Sequence, residues 1–185
     1  MEVKGSAVKS IADYVKKNHP DKYLQWIDLL PEGSKKIFNQ AVLPSNWYPA
    51  MDGVIVPTEK IGEFFFNNDP IKAAWQSGRF NAEISLTGLY KFFVQAASPQ
   101  FIISKAGRIL STYYSPSEIL VAEKGDKWVK LHITRMGIPN IIVESRICGW
   151  IERAMEISGC KEVKVEILKS LSKGDKFTEI NVMWK

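Results

Sequence analysis

Cysteine and histidine are scarce in this 185-residue sequence, which has two of each. Cys148 and Cys160 are the cysteines, and His19 and His132 are isolated along the chain. Zinc sites usually combine ligand pairs spaced by roughly two to four residues, so the sequence predicts no metal site. A disulfide is disfavoured too, because about ten residues of helical rise would put the cysteines roughly 15 Å apart.

Long apolar segments are also missing. No run approaches the roughly 18 residues that cross a bilayer. The first residues, MEVKGSAVKSIADYVKK, lack the apolar core of a signal peptide. Together with the low cysteine content, these features predict a cytoplasmic protein without a membrane span.

The excess of positive charge is small, since 25 basic and 20 acidic residues give a net charge of +5. The two signs are mixed along the chain, which predicts no nucleic-acid partner. The sequence has no glycine-rich phosphate loop and no nucleophile elbow, so we predict that the protein is not an enzyme. Arg135 and Arg146 flank the start of a predicted helix and are expected at the surface, with anion binding at that helix N-terminus as the alternative.

Apolar periodicity predicts a helical first part, residues 1–115. Val8, Ile11 and Val15 recur at spacings of three and four, which is typical of an amphipathic helix. The segment LPSNWYPAMDG, residues 43–53, contains two prolines and a glycine and is predicted to be a structured turn. Residues 79–114 are predicted to hold two longer helices, the first of them largely buried.

The periodicity changes to that of strands after Pro116. Residues 117–136 predict a hairpin, residues 141–158 a helix, and the last residues a second hairpin. We therefore predict an α+β fold in a single domain, residues 1–185. Its helical part, 1–115, packs on a C-terminal β-β-α-β-β unit, 116–185, with an antiparallel four-stranded sheet and one long helix.

Several segments resemble a bacterial family described mainly from myxobacteria and their relatives, for which no activity is established. The segments are DLLPEGSKKIF (28–38), NWYP (46–49), SGRFNAEISLTGLYKFF (77–93), ASPQF (97–101), GCKEVKV (159–165) and INVMW (180–184). The order of helices and strands also resembles a ligand-binding fold shared by three groups: haem nitric-oxide/oxygen binding domains, 4-vinyl reductase domains and vesicle-transport-particle subunits. The resemblance implies a pocket between helices and sheet, which in those relatives holds haem, a small aromatic effector or an acyl chain.

Two departures from these relatives bear on cofactors. The haem group has a helical histidine and a Tyr-x-Ser-x-Arg motif, but residues 79–114 contain no histidine and YYSPSE, residues 113–118, lacks the arginine. Zinc-containing 4-vinyl reductase domains have cysteines around a Gly-Asp turn, where this chain has Ser170 and Thr178. The resemblance therefore implies neither haem nor zinc, and we predict no cofactor.

Aromatic residues are abundant in the segments predicted to surround this pocket. We predict ligand contacts from Tyr90, Phe92, Phe93, Phe101, Tyr113 and Trp150. The predicted function is a non-enzymatic sensory or carrier domain that binds a small apolar ligand; the alternative for these residues is an ordinary core. The alternative function is a protein-interaction or dimerisation module with no small-molecule ligand, because residues 64–66 and the NWYP turn are expected to expose apolar surface.

Overall fold

The computed structural model describes residues 1–86 and 106–185. Its architecture is α+β, as the sequence predicts, with a helical N-terminal half followed by an antiparallel four-stranded sheet. The prediction of two longer helices over residues 79–114 lies partly outside the described residues. Within the described ranges, no helix is both long enough and apolar enough to cross a membrane.

Mostly short helices form the first part of the chain. They are α1 (Gly5–Asn18), α2 (Tyr23–Asp28), α3 (Glu32–Phe38), a π-helical turn (Met51–Ile55), α4 (Val56–Phe65), α5 (Pro70–Leu86) and α6 (Ala106–Tyr113). Val8, Ile11 and Val15 of α1 are fully buried, as their spacing predicts. Trp26 of α2 is buried as well, and its indole N–H donates to the Pro57 carbonyl at 3.3 Å.

A small sheet, which the sequence did not predict, joins distant parts of this helical half. Its strands are β1 (Glu2–Lys4), β2 (Trp47–Pro49) and β3 (Tyr114–Ser115), in the order β2-β1-β3. All pairs are antiparallel, with Val3 opposite both Tyr48 and Tyr114. Strands of two or three residues are too short to show an alternating pattern, so only their long-range pairing reveals them.

The larger sheet contains both predicted hairpins. Its strands are β4 (Ser117–Lys124), β5 (Trp128–Met136), β6 (Lys164–Lys169) and β7 (Thr178–Met183), in the order β4-β5-β7-β6. Leu131 lies opposite Ile180 and Val129 opposite Val182, and all four are buried. The alternation of apolar and polar residues therefore sets both the face and the register of the central strands.

The long helix α7 (Ile141–Ile157) connects the two hairpins and contacts α5, β6 and β7. It begins at Asn140, whose side-chain oxygen accepts a hydrogen bond from the Ile142 amide at 2.8 Å. It ends just before Gly159, which has φ of +96°, the left-handed conformation in which glycine commonly follows the end of a helix. The helix is therefore bounded by local sequence signals.

Helices α5 and α7 touch backbone to backbone through two glycines. A Cβ atom at Gly78 would lie 2.0 Å from the carbonyl oxygen of Arg146. A Cβ atom at Gly149 would lie 2.1 Å from the carbonyl oxygen of Trp75. This close crossing brings the polar residues of α5 next to those of α7, where the candidate site lies.

Candidate functional site

A cavity of about 50 Å³ lies where α5, α6, α7 and the start of β4 meet. Its aliphatic walls come from Ile109, Leu110, Ile119, Ile147 and Ile151, and its aromatic walls from Tyr113, Tyr114 and Trp150. Asn81 and Arg146 contribute polar side chains. Largely apolar walls with a few polar groups are typical of small-molecule sites.

Two of the six predicted contact residues meet at this cavity. The rings of Tyr113 and Trp150 both line it, with centroids 6.4 Å apart and planes inclined by 52°. The other four, Tyr90, Phe92, Phe93 and Phe101, lie outside the described residues. A ligand-binding role for these six residues remains a prediction.

The phenol of Tyr113 is held in its neutral form. Burial is the largest influence and raises its pKa, and the neighbouring Tyr114 raises it further. A hydrogen bond with Ser85 and the charge of Arg146 oppose this increase without cancelling it. Tyr113 therefore offers an uncharged hydroxyl group at physiological pH.

Arg146 is the residue whose position the sequence analysis misjudged. It was expected at the surface, but it is 1% exposed, whereas Arg135 is exposed as predicted. The expectation was wrong because Arg146 lies in the second turn of α7, on a side covered by α1 and α5. Its Nη1 donates to Ser77 Oγ at 3.1 Å, and its Nη2 donates to the Ala7 carbonyl and to Ser10 Oγ, both at 2.9 Å.

The charge of Arg146 has no carboxylate partner in the parts of the chain that the structure covers. Residues 87–105 contain no aspartate or glutamate that could provide one. Other arginines at the interface of α5 and α7 behave differently: Arg79 pairs with Glu152 and Glu156, and Arg153 pairs with Glu83 and Glu156. Arg146 is therefore a buried cation held by neutral oxygens, which is costly without a compensating anion.

Two hydrogen-bond donors at the cavity have no acceptor among the described residues. The side-chain amide nitrogen of Asn81 and the indole nitrogen of Trp150 are both buried, and neither finds a partner in residues 1–86 and 106–185. Asn81 is 4% exposed and lies one turn after Ser77 on α5, while Trp150 lies one turn after Arg146 on α7. Buried donors are nearly always satisfied in proteins, so the pairing of these two donors with a buried cation needs an explanation.

A second buried charge lies on the opposite side of α7. The carboxylate of Glu144 accepts hydrogen bonds from Ser170 Oγ, from Ser172 N at 3.2 Å and Oγ at 3.1 Å, and from Thr178 Oγ1 at 2.7 Å. Ser170 and Thr178 are the residues that the resemblance to zinc-containing 4-vinyl reductase domains would place at the cysteine positions. They come together here around a carboxylate, which stabilises the loop between β6 and β7.

The two histidines lie away from the cavity. His19 stacks on the ring of Phe65 with centroids 4.0 Å apart, and burial lowers its pKa. His132 stacks on Phe177, and its Nε2 lies 2.8 Å from a carboxylate oxygen of Glu179. Both imidazole rings therefore stack on phenylalanine rings outside the cavity lining.

The two cysteines are both free and both buried, in agreement with the prediction of no disulfide. Burial raises the pKa of the Cys148 thiol, and the negative charges of Glu144 and Glu152 raise it further. Burial also raises the pKa of Cys160. Neither has the lowered pKa of a reactive cysteine, and the described residues contain no cluster of His, Cys, Asp and Glu that could hold a metal ion.

Comparison with known proteins shows a fold similarity without sequence similarity. No family model and no curated protein matches the sequence. An H-NOX protein from S. oneidensis, solved in the Fe(II)NO ligation state, superposes with a TM-score of 0.75 at 9% identity, covering 98% of this chain and 99% of that one. An unliganded Fe(II) H-NOX protein from K. algicida gives 0.68 at 11% identity, and a mutant of T. tengcongensis H-NOX gives 0.69 at 12%; they cover 98% of this chain and 96% and 97% of theirs.

Histidine-ligated haem does not fit the residues of this chain. Both of its histidines are described, and neither lines the cavity. The cavity has the volume of a few small atoms, which is much less than a porphyrin requires. The fold is thus that of the H-NOX structures, while the described cavity lacks the axial histidine of a haem site.

Haemin added to the purified protein is expected to give no sharpened or shifted Soret band, because no cavity histidine is available to ligate iron. An absorbance spectrum recorded against free haemin measures this directly. A haem-binding globin treated in parallel is the positive control. A stoichiometric, shifted Soret band would contradict the prediction.

Proposed function

We propose that this chain is a non-enzymatic sensory or carrier domain of the cytoplasm, which binds a small apolar molecule in the cavity between α5, α6, α7 and β4. The observation that carries the proposal is the cavity itself, with its aliphatic and aromatic walls inside a fold of the H-NOX type. The similarity of fold supports only the architecture, because the sequence identity is 12% or less in the compared structures.

The chemistry of the walls supports binding rather than catalysis. The residues that line the cavity include tyrosine, tryptophan, asparagine and arginine, but none of those described is a His, Cys, Asp or Glu. Of the side chains that serve general acid–base and nucleophilic catalysis, the described lining offers tyrosine alone, and burial raises the pKa of Tyr113. A site of this composition holds and orients a molecule without transforming it.

Xenon is a suitable first probe, because it enters small apolar cavities without needing hydrogen bonds. Under xenon pressure, amide and methyl resonances of Leu110, Ile147 and Ile151 are expected to shift in NMR spectra of the native protein. The substitution Ile151→Phe, which fills the cavity, is expected to abolish these shifts.

The matched control for this experiment is Ile71→Phe, which makes the same change at an exposed position of α5. It should leave the xenon-induced shifts unchanged. If shifts are absent in the native protein, or persist in Ile151→Phe, the cavity is not a binding site and the proposed function fails.

Dimerisation, the alternative function, has a weaker basis in this structure. Phe64, Phe65 and Phe66 are half-buried and pack against the core, while Trp47 of the NWYP turn is 37% exposed. The apolar surface that suggested a partner is therefore smaller than the sequence indicates. A homodimer remains a prediction, which light scattering across a range of concentrations would test.

A further inference from the structure

We propose that the molecule bound in this cavity is a short-chain monocarboxylate, whose carboxylate group is received by Arg146, Asn81 and Trp150 and whose hydrocarbon tail lies against the aliphatic walls. The inference rests on the proposed function and narrows it: the ligand of the same cavity is an aliphatic acid with an apolar tail, in place of a wholly apolar molecule. It follows from the polarity, the charge and the size of the described cavity.

The polarity of the cavity requires a ligand with acceptor atoms. Asn81 Nδ2 and Trp150 Nε1 are buried donors with no partner in the described part of the chain, and both residues line the cavity. A buried donor left unsatisfied costs about 1–3 kcal/mol. A purely hydrocarbon ligand would leave both donors unsatisfied, whereas two oxygen atoms on one carbon could accept from both.

The charge of the cavity requires an anion. Arg146 lines the cavity, and the hydrogen bonds of its guanidinium group go to neutral oxygens of Ala7, Ser10 and Ser77. No carboxylate of the described residues pairs with it, and the remaining residues include none. A carboxylate ligand would supply the missing countercharge, and charge-assisted hydrogen bonds are roughly twice as strong as neutral ones.

The size and the apolar walls limit the rest of the ligand. The volume of about 50 Å³ is roughly a third of an engineered cavity of ~150 Å³ that accommodates benzene in another protein. The cavity is partly open, so the carboxylate and the first carbon atoms fill it and a longer tail extends through its open side. Ile109, Leu110 and Ile147 offer contacts to methyl and methylene groups only. Inorganic phosphate and sulfate would leave this aliphatic wall in contact with polar oxygens, so a short aliphatic acid fits better.

Three probes of nearly the same shape, butanoate, butanamide and butan-1-ol, test separately whether the ligand needs a negative charge, hydrogen-bond acceptors or only an apolar tail. Each is titrated into ¹⁵N-labelled native protein while the indole N–H resonance of Trp150 is followed by NMR. Butanoate is expected to bind at least about ten-fold more tightly than butanamide, because it alone supplies the countercharge. Acetate, propanoate and hexanoate in the same assay then define the length of the tail.

The outcomes distinguish this inference from the proposed function. If butanamide or butan-1-ol binds as tightly as butanoate, recognition of a carboxylate is overturned while a binding cavity stands. If none of the three perturbs the cavity resonances, both the inference and the proposed function are overturned. If butanoate shifts only exposed residues, binding occurs elsewhere and the inference is overturned.

Three substitutions test the named groups. Trp150→Phe and Asn81→Leu each remove a donor that makes no hydrogen bond within the described protein, so each should weaken butanoate binding about 3–10-fold. Arg146→Met removes the charge at similar volume and should weaken it by about ten-fold or more. Butan-1-ol affinity should change little in all three.

The matched controls are Trp47→Phe and Arg135→Met, which make the same chemical changes at exposed positions. Both should bind butanoate as the native protein does. If Arg146→Met does not fold, Trp150→Phe and Asn81→Leu still decide the question. Unchanged butanoate affinity in both of these variants would overturn the assigned donors.

Discussion

Replacing Gly78 with alanine is expected to destabilise the protein by about 3 kcal/mol or more, because the new methyl group collides with backbone rather than with a movable side chain. The Cβ atom would lie 2.0 Å from the carbonyl oxygen of Arg146, far inside van der Waals contact. Helices α5 and α7 must therefore separate to accept it. Thermal unfolding followed by circular dichroism should show a fall in Tm of roughly 6–12 °C.

The control for this substitution is Lys72→Ala, which places alanine at an exposed position of the same helix and should change stability by less than about 0.5 kcal/mol. Gly149→Ala should be as harmful as Gly78→Ala, since its Cβ atom would lie 2.1 Å from the Trp75 carbonyl oxygen. Once the first substitution has separated the helices, the second should reduce the free energy of unfolding by less than it does alone. The double variant should therefore be less destabilised than the sum of the two single variants. Full additivity would show that the two glycines do not share one crossing.

Replacing Glu144 with leucine is expected to destabilise the protein by about 3 kcal/mol or more, because several buried donors lose their acceptor and each unsatisfied buried donor costs about 1–3 kcal/mol. Ser170, Ser172 and Thr178 would lose the carboxylate that accepts their hydrogen bonds, and leucine offers no replacement acceptor. Urea unfolding measures the loss in global stability. Hydrogen exchange should show the largest loss of protection in the loop between β6 and β7.

Glu166→Leu is the matched control, because it makes the same change at an exposed position of β6, where surface substitutions usually shift stability by less than about 0.5 kcal/mol. Glu144→Gln keeps the shape of the side chain and one acceptor oxygen, so its cost should fall between those of the two leucine variants. A Glu144→Leu protein as stable as Glu166→Leu would contradict a stabilising role for the buried carboxylate.

The fold could be predicted from the sequence wherever a periodic pattern extends over a whole element. Val129, Leu131 and Ile133 alternate over a strand long enough to show its buried face, and Gly159 marks the end of α7. The small sheet could not be predicted, because pairing of β1 with β2 and β3 depends on contacts between residues far apart in the chain. Local patterns carry no information on such pairings.

Two of the six aromatic residues named from the sequence, Tyr113 and Trp150, meet at the candidate cavity, while Tyr114 was not named. Arg146 was assigned to the surface and Glu144 was not considered, because charged residues are usually exposed. Their burial depends on partners from α1, α5 and the loop between β6 and β7. The spacing of four residues between Arg146 and Trp150 was a usable signal, since it places both on one side of a helix.

The two buried charges of α7 also determine how this helix is turned about its own axis. Residues 142–149 are all buried, so apolar contacts alone give the first two turns no preferred orientation. Glu144 and Arg146 are two positions apart and thus point in directions about 200° apart, one toward the hydroxyl groups of the last hairpin and the other toward α1 and α5. Rotation of α7 by a single residue would remove both charges from their partners at once. The two charged residues therefore fix the rotation of α7 about its axis. In this one orientation the side chains of Ile147, Trp150 and Ile151 face the cavity.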